Sequence, residues 1–114
     1  MLRVRAGRLE DLPPDRPVPL ELHGHRVALI RRGDTVHALD DACPHAGGPL
    51  SEGTVRDDTL TCPYHGWVWS LRSGVCVAPG RDARVAVYPT GVDAGEVWVD
   101  LPSRATEKRG GGSA

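Results

Sequence analysis

The sequence predicts an all-β fold built from short antiparallel strands. Apolar runs rich in Val, Leu and Ile recur between Gly, Pro and Asp residues, and no stretch keeps helical periodicity for three turns. Turn residues at 32–34 and 93–95 supply the positive φ that tight hairpins need, so neighbouring strands should pair antiparallel. With 114 residues, the chain is long enough for one small domain and too short for two ordinary cores.

Nine short segments are the predicted strands. They cover 2–6, 18–22, 25–31, 35–39, 59–61, 68–71, 75–77, 85–90 and 96–101. Three prolines within 11–17 remove ladder donors, so this segment should be a surface connection. Residues 103–114 are polar and end in a glycine run, a composition that cannot repay its ordering entropy. We expect a disordered tail there.

Two short clusters pair one thiolate with one imidazole, each on a tight loop. They are Cys43-Pro44-His45 and Cys62-Pro63-Tyr64-His65. In the first, the two side chains stand at i and i+2, so an extended or turn-like backbone projects them to the same side. A proline after each cysteine restricts the loop before any ligand arrives. Two thiolates and two imidazoles are the ligand set of a Rieske [2Fe–2S] centre, whereas ordinary ferredoxin clusters take four thiolates.

The stretch from Cys43 to Pro79 resembles the cluster-binding half of Rieske ferredoxins. The similarity includes both ligand pairs, the sixteen-residue gap 46–61, and the segments Gly66-Trp67-Val68-Trp69 and Ser73-Gly74. The resemblance implies a [2Fe–2S] cluster with Cys43 and Cys62 on the inner iron and His45 and His65 on the outer iron. It also implies a β sandwich or barrel base carrying a small cluster-binding subdomain, about residues 39–77, within a single domain of residues 1–102.

Structural zinc is the alternative for these four side chains, since two Cys and two His also make a closed tetrahedral site. Zinc sites usually space like residues in pairs, whereas each loop here mixes one Cys with one His, which favours two irons. Cys76 stands between two valines and should be a small buried hydrophobe. His23, His25 and His37 are not expected to be ligands. Trp67 should either pack in the core or shield the cluster from water.

Composition excludes several functional classes. The formal net charge is -1 with no basic cluster among aromatics, so nucleic acid is not an expected partner. The longest aliphatic run, 27–30, is far below the roughly 20 apolar residues of a membrane span, and residues 1–5 lead into no apolar signal core. We therefore expect a soluble, cytoplasmic protein. No histidine follows His65, so the two-His, one-carboxylate iron site of Rieske-type oxygenases cannot be assembled downstream.

The resemblance implies a one-electron carrier that passes electrons from a flavin-dependent reductase to a terminal oxygenase, without catalytic activity of its own. A small Rieske-like subunit of an assimilatory NAD(P)H nitrite reductase is the alternative. Gly48 and Tyr64 stand where respiratory relatives carry a loop disulfide, and Trp67 and Trp69 stand where those relatives carry hydroxyl donors to sulfur. Fewer donors imply a potential in the lower part of the Rieske range, which spans roughly −150 to +300 mV.

Acidic residues near the two loops in sequence form a candidate docking rim for a basic partner. An ordinary solvated surface is the other interpretation of the same residues. They are Asp40, Asp41, Glu52, Asp57 and Asp58.

Overall fold

The fold is described from a computed structural model covering residues 2–42, 49–63, 66–78 and 83–102. Within these ranges the chain forms eleven strands and two single-turn 3-10 helices, so the all-β prediction is confirmed. The strands are β1 (Leu2–Arg8), β2 (Val18–Leu22), β3 (His25–Arg32), β4 (Thr35–Asp40), β5 (Thr54–Arg56), β6 (Thr59–Thr61), β7 (Val68–Ser70), β8 (Cys76–Ala78), β9 (Val87–Tyr88), β10 (Thr90–Asp93) and β11 (Glu96–Leu101). The 3-10 helices span Leu9–Asp11 and Leu50–Glu52.

The strands form three antiparallel sheets. The terminal sheet has the order β1-β11-β10, the central sheet β2-β3-β4-β9, and the loop-bearing sheet β5-β6-β7-β8. None of the helices within the described ranges has the length and apolar character needed to span a bilayer.

The central sheet is covered on both faces, and β3 shows this most directly. Val27 and Leu29 belong to the core shared with the terminal sheet, whereas Ala28 and Ile30 belong to the core shared with the loop-bearing sheet. All four are fully buried. A strand buried on both faces has a continuous apolar sequence rather than an alternating one, as β3 does.

Two hydrophobic cores follow from this layering. The base core lies between the terminal and central sheets and includes Val36, Ala38, Val97, Val99 and Leu101. The second core lies on the other face of the central sheet and includes Leu39, Leu50, Leu60, Cys62, Trp69, Leu71, Cys76 and Val85. The loop-bearing sheet is therefore attached to the base by apolar packing as well as by the chain.

Tight two-residue turns join β3 to β4 and β10 to β11, as predicted. At Ala94 and Gly95 the φ angles are 51° and 80°, which is the pattern of a type I′ hairpin turn, and Gly33 has φ 63° between β3 and β4. His25 is the first residue of β3, as the predicted strand 25–31 implied, and it is buried, with its ring edge against Tyr88 at a centroid distance of 6.1 Å.

Eight of the nine predicted strands are present as single strands to within two residues at each end, whereas the segment predicted as one strand at 85–90 is divided between β9 and the start of β10. Pro89 interrupts it because proline has no N–H for the ladder. Tyr88 ends β9 in the central sheet, and Thr90 begins β10 in the terminal sheet. Strand β5 was not predicted, since its three residues contain one apolar side chain. The predicted tail, 103–114, lies outside the described residues.

Candidate metal centre

One end of the loop-bearing sheet brings together the chain on both sides of each predicted ligand loop. Strand β5 begins where β6 ends, because Thr54 pairs with Thr61. Strand β8 ends beside the start of β7, because Ala78 pairs with Val68. The residues that precede β5, follow β6 and precede β7 therefore meet at the same end of the sheet.

The second ligand loop extends the β6–β7 hairpin. The Cys62 N–H donates to the Trp67 carbonyl at 2.7 Å, and the Gly66 N–H donates to the Cys62 carbonyl at 3.1 Å. Gly66 has φ 74°, and a Cβ added there would meet nothing within 4 Å. The backbone alone thus closes a turn that holds Cys62 at the sheet end, with open space beside the glycine.

The first ligand loop leaves the base at the end of β4 and returns at Pro49. Ala42 and Pro49 form an antiparallel bridge, and the Leu50 N–H donates to the Asp41 carbonyl at 2.8 Å. On the other side, the Asp41 N–H donates to the Arg26 carbonyl at 3.0 Å. Residues 43–48 therefore start and end at one narrow neck that is joined to the central sheet.

Gly53 brings the neck of the first loop, at Ala42 and Pro49, close to the neck of the second loop, at Cys62 and Trp67. The 3-10 helix Leu50–Glu52 carries the chain from Pro49 to Gly53 within one turn, and the Gly53 N–H donates to the Leu50 carbonyl at 2.9 Å. A Cβ at Gly53 would lie 2.3 Å from the Thr61 carbonyl oxygen, a distance that real Cβ atoms do not reach. Only glycine allows this approach, which places the first neck beside the residue that precedes Cys62.

Of the four predicted ligands, the structure describes Cys62 alone. Its side chain is 1% exposed and belongs to the second core. Cys43, His45 and His65 lie outside the described residues, and among the described residues no three His, Cys, Asp or Glu side chains gather into a metal site. The described residues fit a cluster in two respects: a thiol is held at the sheet end, and both loop necks are closed beside it.

Cys76 and Trp67 are placed as the sequence suggested. Cys76 begins β8, is buried, and directs its thiol to the Ala78 carbonyl at 3.4 Å, as expected of a packed hydrophobe. Trp67 packs against the second core, with its ring 6.0 Å from that of the fully buried Trp69. Packing is therefore shown for Trp67, beside the loop that bears Cys62.

The acidic rim is not a single surface, which corrects the expectation from sequence. Asp41 is 3% exposed and directed inward. Asp57 and Asp58 form the β5–β6 turn, at the opposite end of β6 from Cys62, and Asp58 pairs with Arg72 at 3.4 Å. Asp57 and Asp58 are separated from Cys62, although they are close to it in sequence, because strand β6 runs from the β5–β6 turn to the other end of the sheet.

Sequence reasoning missed the burial of Asp41, although a signal was present. Along β4, Val36 and Ala38 face the base core, while Leu39 faces the second core. Continuing this period of two places residue 41 on the same face as Leu39, that is, inward. Gly53 gave no comparable signal, because its close contact with Thr61 depends on tertiary structure.

His37 lies at the junction of the central and loop-bearing sheets, at the end remote from Cys62. It is half-buried on β4. Burial lowers the pKa of His37, and the positive charges of Arg72 and Arg32 lower it further, while Asp58 and the Leu71 backbone oppose the shift. This environment favours the neutral imidazole.

Comparison with known proteins gives a consistent result. Residues 3–89 match the model of the Rieske [2Fe-2S] domain. A curated relative, the 3-phenylpropionate/cinnamic acid dioxygenase ferredoxin subunit of Shigella flexneri serotype 5b (strain 8401), is 29% identical over 103 residues, covering 90% of this chain and 96% of the relative.

Solved structures of similar fold include ferredoxins and a nitrite reductase small subunit. The ferredoxin of carbazole 1,9a-dioxygenase from Nocardioides aromaticivorans IC177 has a TM-score of 0.84 at 29% identity, covering 90% of this chain and 100% of that one. A complex of reduced oxygenase and oxidized ferredoxin in carbazole 1,9a-dioxygenase contains a chain with a TM-score of 0.78 at 29% identity, covering 84% and 99%. A Mycobacterium tuberculosis protein assigned as an NADH-dependent nitrite reductase small subunit has a TM-score of 0.81 at 30% identity, covering 89% and 96%.

Proposed function

Because this chain belongs to the Rieske [2Fe-2S] domain family, we propose that it is a one-electron carrier between a flavin-dependent reductase and a terminal oxygenase. Its cofactor is a [2Fe–2S] cluster, which supplies the electron-accepting chemistry when bound. The protein contributes ligands, burial and a surface for short-lived docking. The similarity to a dioxygenase ferredoxin subunit over nearly the whole of both chains is the observation that carries this proposal.

The proposed ligands are Cys43 and Cys62 for the inner iron and His45 and His65 for the outer iron. Support comes from the arrangement of the described residues around them. Cys62 is held at the end of the loop-bearing sheet by backbone hydrogen bonds, and the neck that bears residues 43–48 is closed beside it. The loops thus depart from neighbouring positions, as a shared cluster requires. We further propose that residues 1–102 are one domain with its cluster-binding part at about 39–77.

The carrier role is favoured over an enzymatic one by the similarity to a dioxygenase ferredoxin subunit, which covers 90% of this chain and 96% of the relative. The complex of oxygenase and ferredoxin in carbazole 1,9a-dioxygenase supports a terminal oxygenase as the electron acceptor of this chain as well. We place the protein in the cytoplasm, because Cys76 has no further cysteine to pair with once Cys43 and Cys62 are ligands.

A nitrite reductase small subunit is the second candidate, favoured by the 30% identity to the Mycobacterium tuberculosis protein. The two roles differ in how the chain is bound to its partner. A carrier dissociates between electron transfers, whereas a subunit stays with a large haem and flavin subunit through purification. Stable co-purification with such a subunit would decide for the second candidate.

Two experiments test the proposal. In the first, iron, acid-labile sulfide, visible absorption and the reduced-state paramagnetic signal are measured on anaerobically purified protein. His45→Ala and Cys62→Ser should lose the cluster or make it labile, and Cys76→Ser should keep its spectrum. A cluster that survives His45→Ala and disappears in Cys76→Ser would refute the ligand assignment.

In the second, dithionite-reduced protein is mixed anaerobically with an oxidised terminal oxygenase encoded nearby, and cluster absorbance is followed by stopped flow. Reoxidation that rises with oxygenase concentration is expected of a carrier. Protein that stays reduced with the oxygenase, and is reoxidised only within a purified complex containing haem and flavin, would overturn the carrier role in favour of the subunit role.

A further inference from the structure

We infer that Asp41 is a positioning residue whose buried carboxylate holds the first ligand loop in its cluster-binding geometry. The inference rests on the proposed function, because it assigns Cys43 and His45 on that loop to the cluster. It gives Asp41 a role distinct from the surface docking that its sequence neighbourhood suggested.

The carboxylate of Asp41 is clamped to one residue across the neck. Its Oδ1 accepts the Ser51 N–H at 2.7 Å, and its Oδ2 accepts the Ser51 hydroxyl at 3.1 Å. Arg26 Nη2 lies 4.0 Å from the same Oδ2, on a side chain that is 74% exposed. A carboxylate that is 3% exposed is costly to bury unless such partners compensate it.

The clamp fixes the neck at which the first ligand loop leaves the base and returns to it. The backbone of Asp41 is already joined to Arg26 on one side and to Leu50 on the other. The side chain adds Ser51, inside the 3-10 helix that leads to Gly53 and so to Thr61. Asp41 therefore links the base, the first neck and, through Gly53, the strand that ends at Thr61.

A comparison of the two loops explains why a side chain is needed at the first. The second loop is closed over four residues, 63–66, by two backbone hydrogen bonds that continue a β hairpin. The first loop spans six residues, 43–48, and continues into a 3-10 helix rather than into a paired strand. The first neck is closed by a single antiparallel bridge, Ala42 with Pro49, and by the backbone hydrogen bond from Leu50 to Asp41. Because no paired strand continues beyond that bridge, the Asp41 clamp adds the contact that fixes the exit of the loop.

The side chain's contacts predict a local effect. The contacts described for the carboxylate are with Ser51 and Arg26, not with either hydrophobic core. Removing the carboxylate should loosen the neck while the sheets stay packed. The expected signature is faster release of the cluster at temperatures well below unfolding, together with an altered cluster spectrum.

The test compares Asp41→Ala, Asp41→Asn and Ser51→Ala with wild-type protein purified anaerobically. Cluster release to excess chelator is followed by visible absorbance, the paramagnetic signal of the reduced cluster is recorded, and unfolding is measured in urea. Asp41→Ala should release its cluster about tenfold faster or more, with a broadened signal. Ser51→Ala should be intermediate. Asp41→Asn should recover part of the loss, because its amide oxygen can still accept the Ser51 N–H.

Two control variants separate positioning from general stability. Asp58→Asn removes a carboxylate at the end of the loop-bearing sheet remote from Cys62, and this variant should release its cluster at the wild-type rate. Val99→Ala creates a cavity in the base core and lowers stability without touching the neck. If Asp41→Ala is too unstable to purify, Asp41→Asn and Ser51→Ala still decide the question.

The outcomes distinguish this inference from the proposed function. Wild-type protein that contains a cluster, with Asp41 and Ser51 variants that release it at the wild-type rate, would overturn the inference alone. Equally fast release from Val99→Ala at matched stability would also overturn it. Wild-type protein without iron and sulfide would overturn the proposed function and this inference together.

Discussion

Gly53→Ala tests whether the close approach of the two loop necks is required for cluster binding. Gly53 has φ −80° and ψ −174°, an extended conformation that alanine adopts freely. The new methyl group would lie 2.3 Å from the Thr61 carbonyl oxygen and 3.1 Å from both the Leu50 carbonyl oxygen and Leu60 Cδ1. The cost of the substitution is therefore steric rather than conformational.

The size of the effect follows from this overlap. To reach an ordinary C···O separation of about 3.3 Å, the Thr61 backbone must move by roughly 1 Å. Overpacking of this kind costs about 1–3 kcal/mol, and the reduced freedom of the unfolded chain returns about 0.4–1 kcal/mol. The net loss should be about 1–2 kcal/mol, and each kcal/mol lowers Tm by roughly 4–8 °C in a domain of this size.

Gly33→Ala is the matched control. Gly33 has φ 63°, and a Cβ there would meet nothing within 4 Å, so its cost is conformational, about 1–2 kcal/mol. Both variants should lose similar stability in urea unfolding. Only Gly53→Ala should also release its cluster faster than wild-type protein, because only Gly53 adjoins the residue that precedes Cys62. This reasoning would be refuted if Gly53→Ala released its cluster at the wild-type rate, or if Gly33→Ala released it as fast as Gly53→Ala.

Two further predictions concern the base and its junction with the loop-bearing sheet. The pKa of His37 is lowered below its usual 6.5 in the folded protein, so the unfolded state binds more protons. The stability that neutral His37 contributes is therefore present above pH 6.5 and is lost as the pH falls through 6.5 toward the folded pKa. Urea unfolding of His37→Gln should be less sensitive to pH in that window than wild type, and parallel curves would contradict the assignment. Gly91→Ala would place a Cβ 2.1 Å from Trp98 Cζ2 and displace the indole, whose ring centroid lies 3.6 Å from the Arg3 guanidinium. The substitution should lower the free energy of unfolding by about 1–3 kcal/mol and leave the cluster spectrum unchanged. Loss of the cluster would show that the base and the ligand loops are not independent.

Strands and turns were largely predictable because they depend on local sequence. The alternation in β11, where Val97 and Val99 are buried between half-buried neighbours, and the Ala94-Gly95 turn are both determined within a few residues. The division at Pro89 could have been expected from its missing N–H. Which sheet each half would join could not, because that depends on distant strands.

The surroundings of the candidate site were less predictable than its ligand motif. Asp41 and Asp58 were grouped by their distance along the sequence, yet one is buried at the first neck and the other lies at the far end of β6. Their separation arises from a hairpin reversal and from the inward face of β4. The contact of Gly53 with Thr61 likewise arises only when the 3-10 helix docks on β6.

The Asp40 N–H donates to the Ala86 carbonyl at 2.9 Å, and Leu39 pairs with Val87, so the central sheet is continuous across the point where the chain departs and comes back. Everything from 41 to 85 is therefore an insertion whose two ends are stitched together by the scaffold. Because Ala28, Ile30 and Leu39 of the central sheet are buried beneath this insertion, a replacement module would have to cover the same three side chains. The scaffold therefore dictates the apolar underside of whatever it carries.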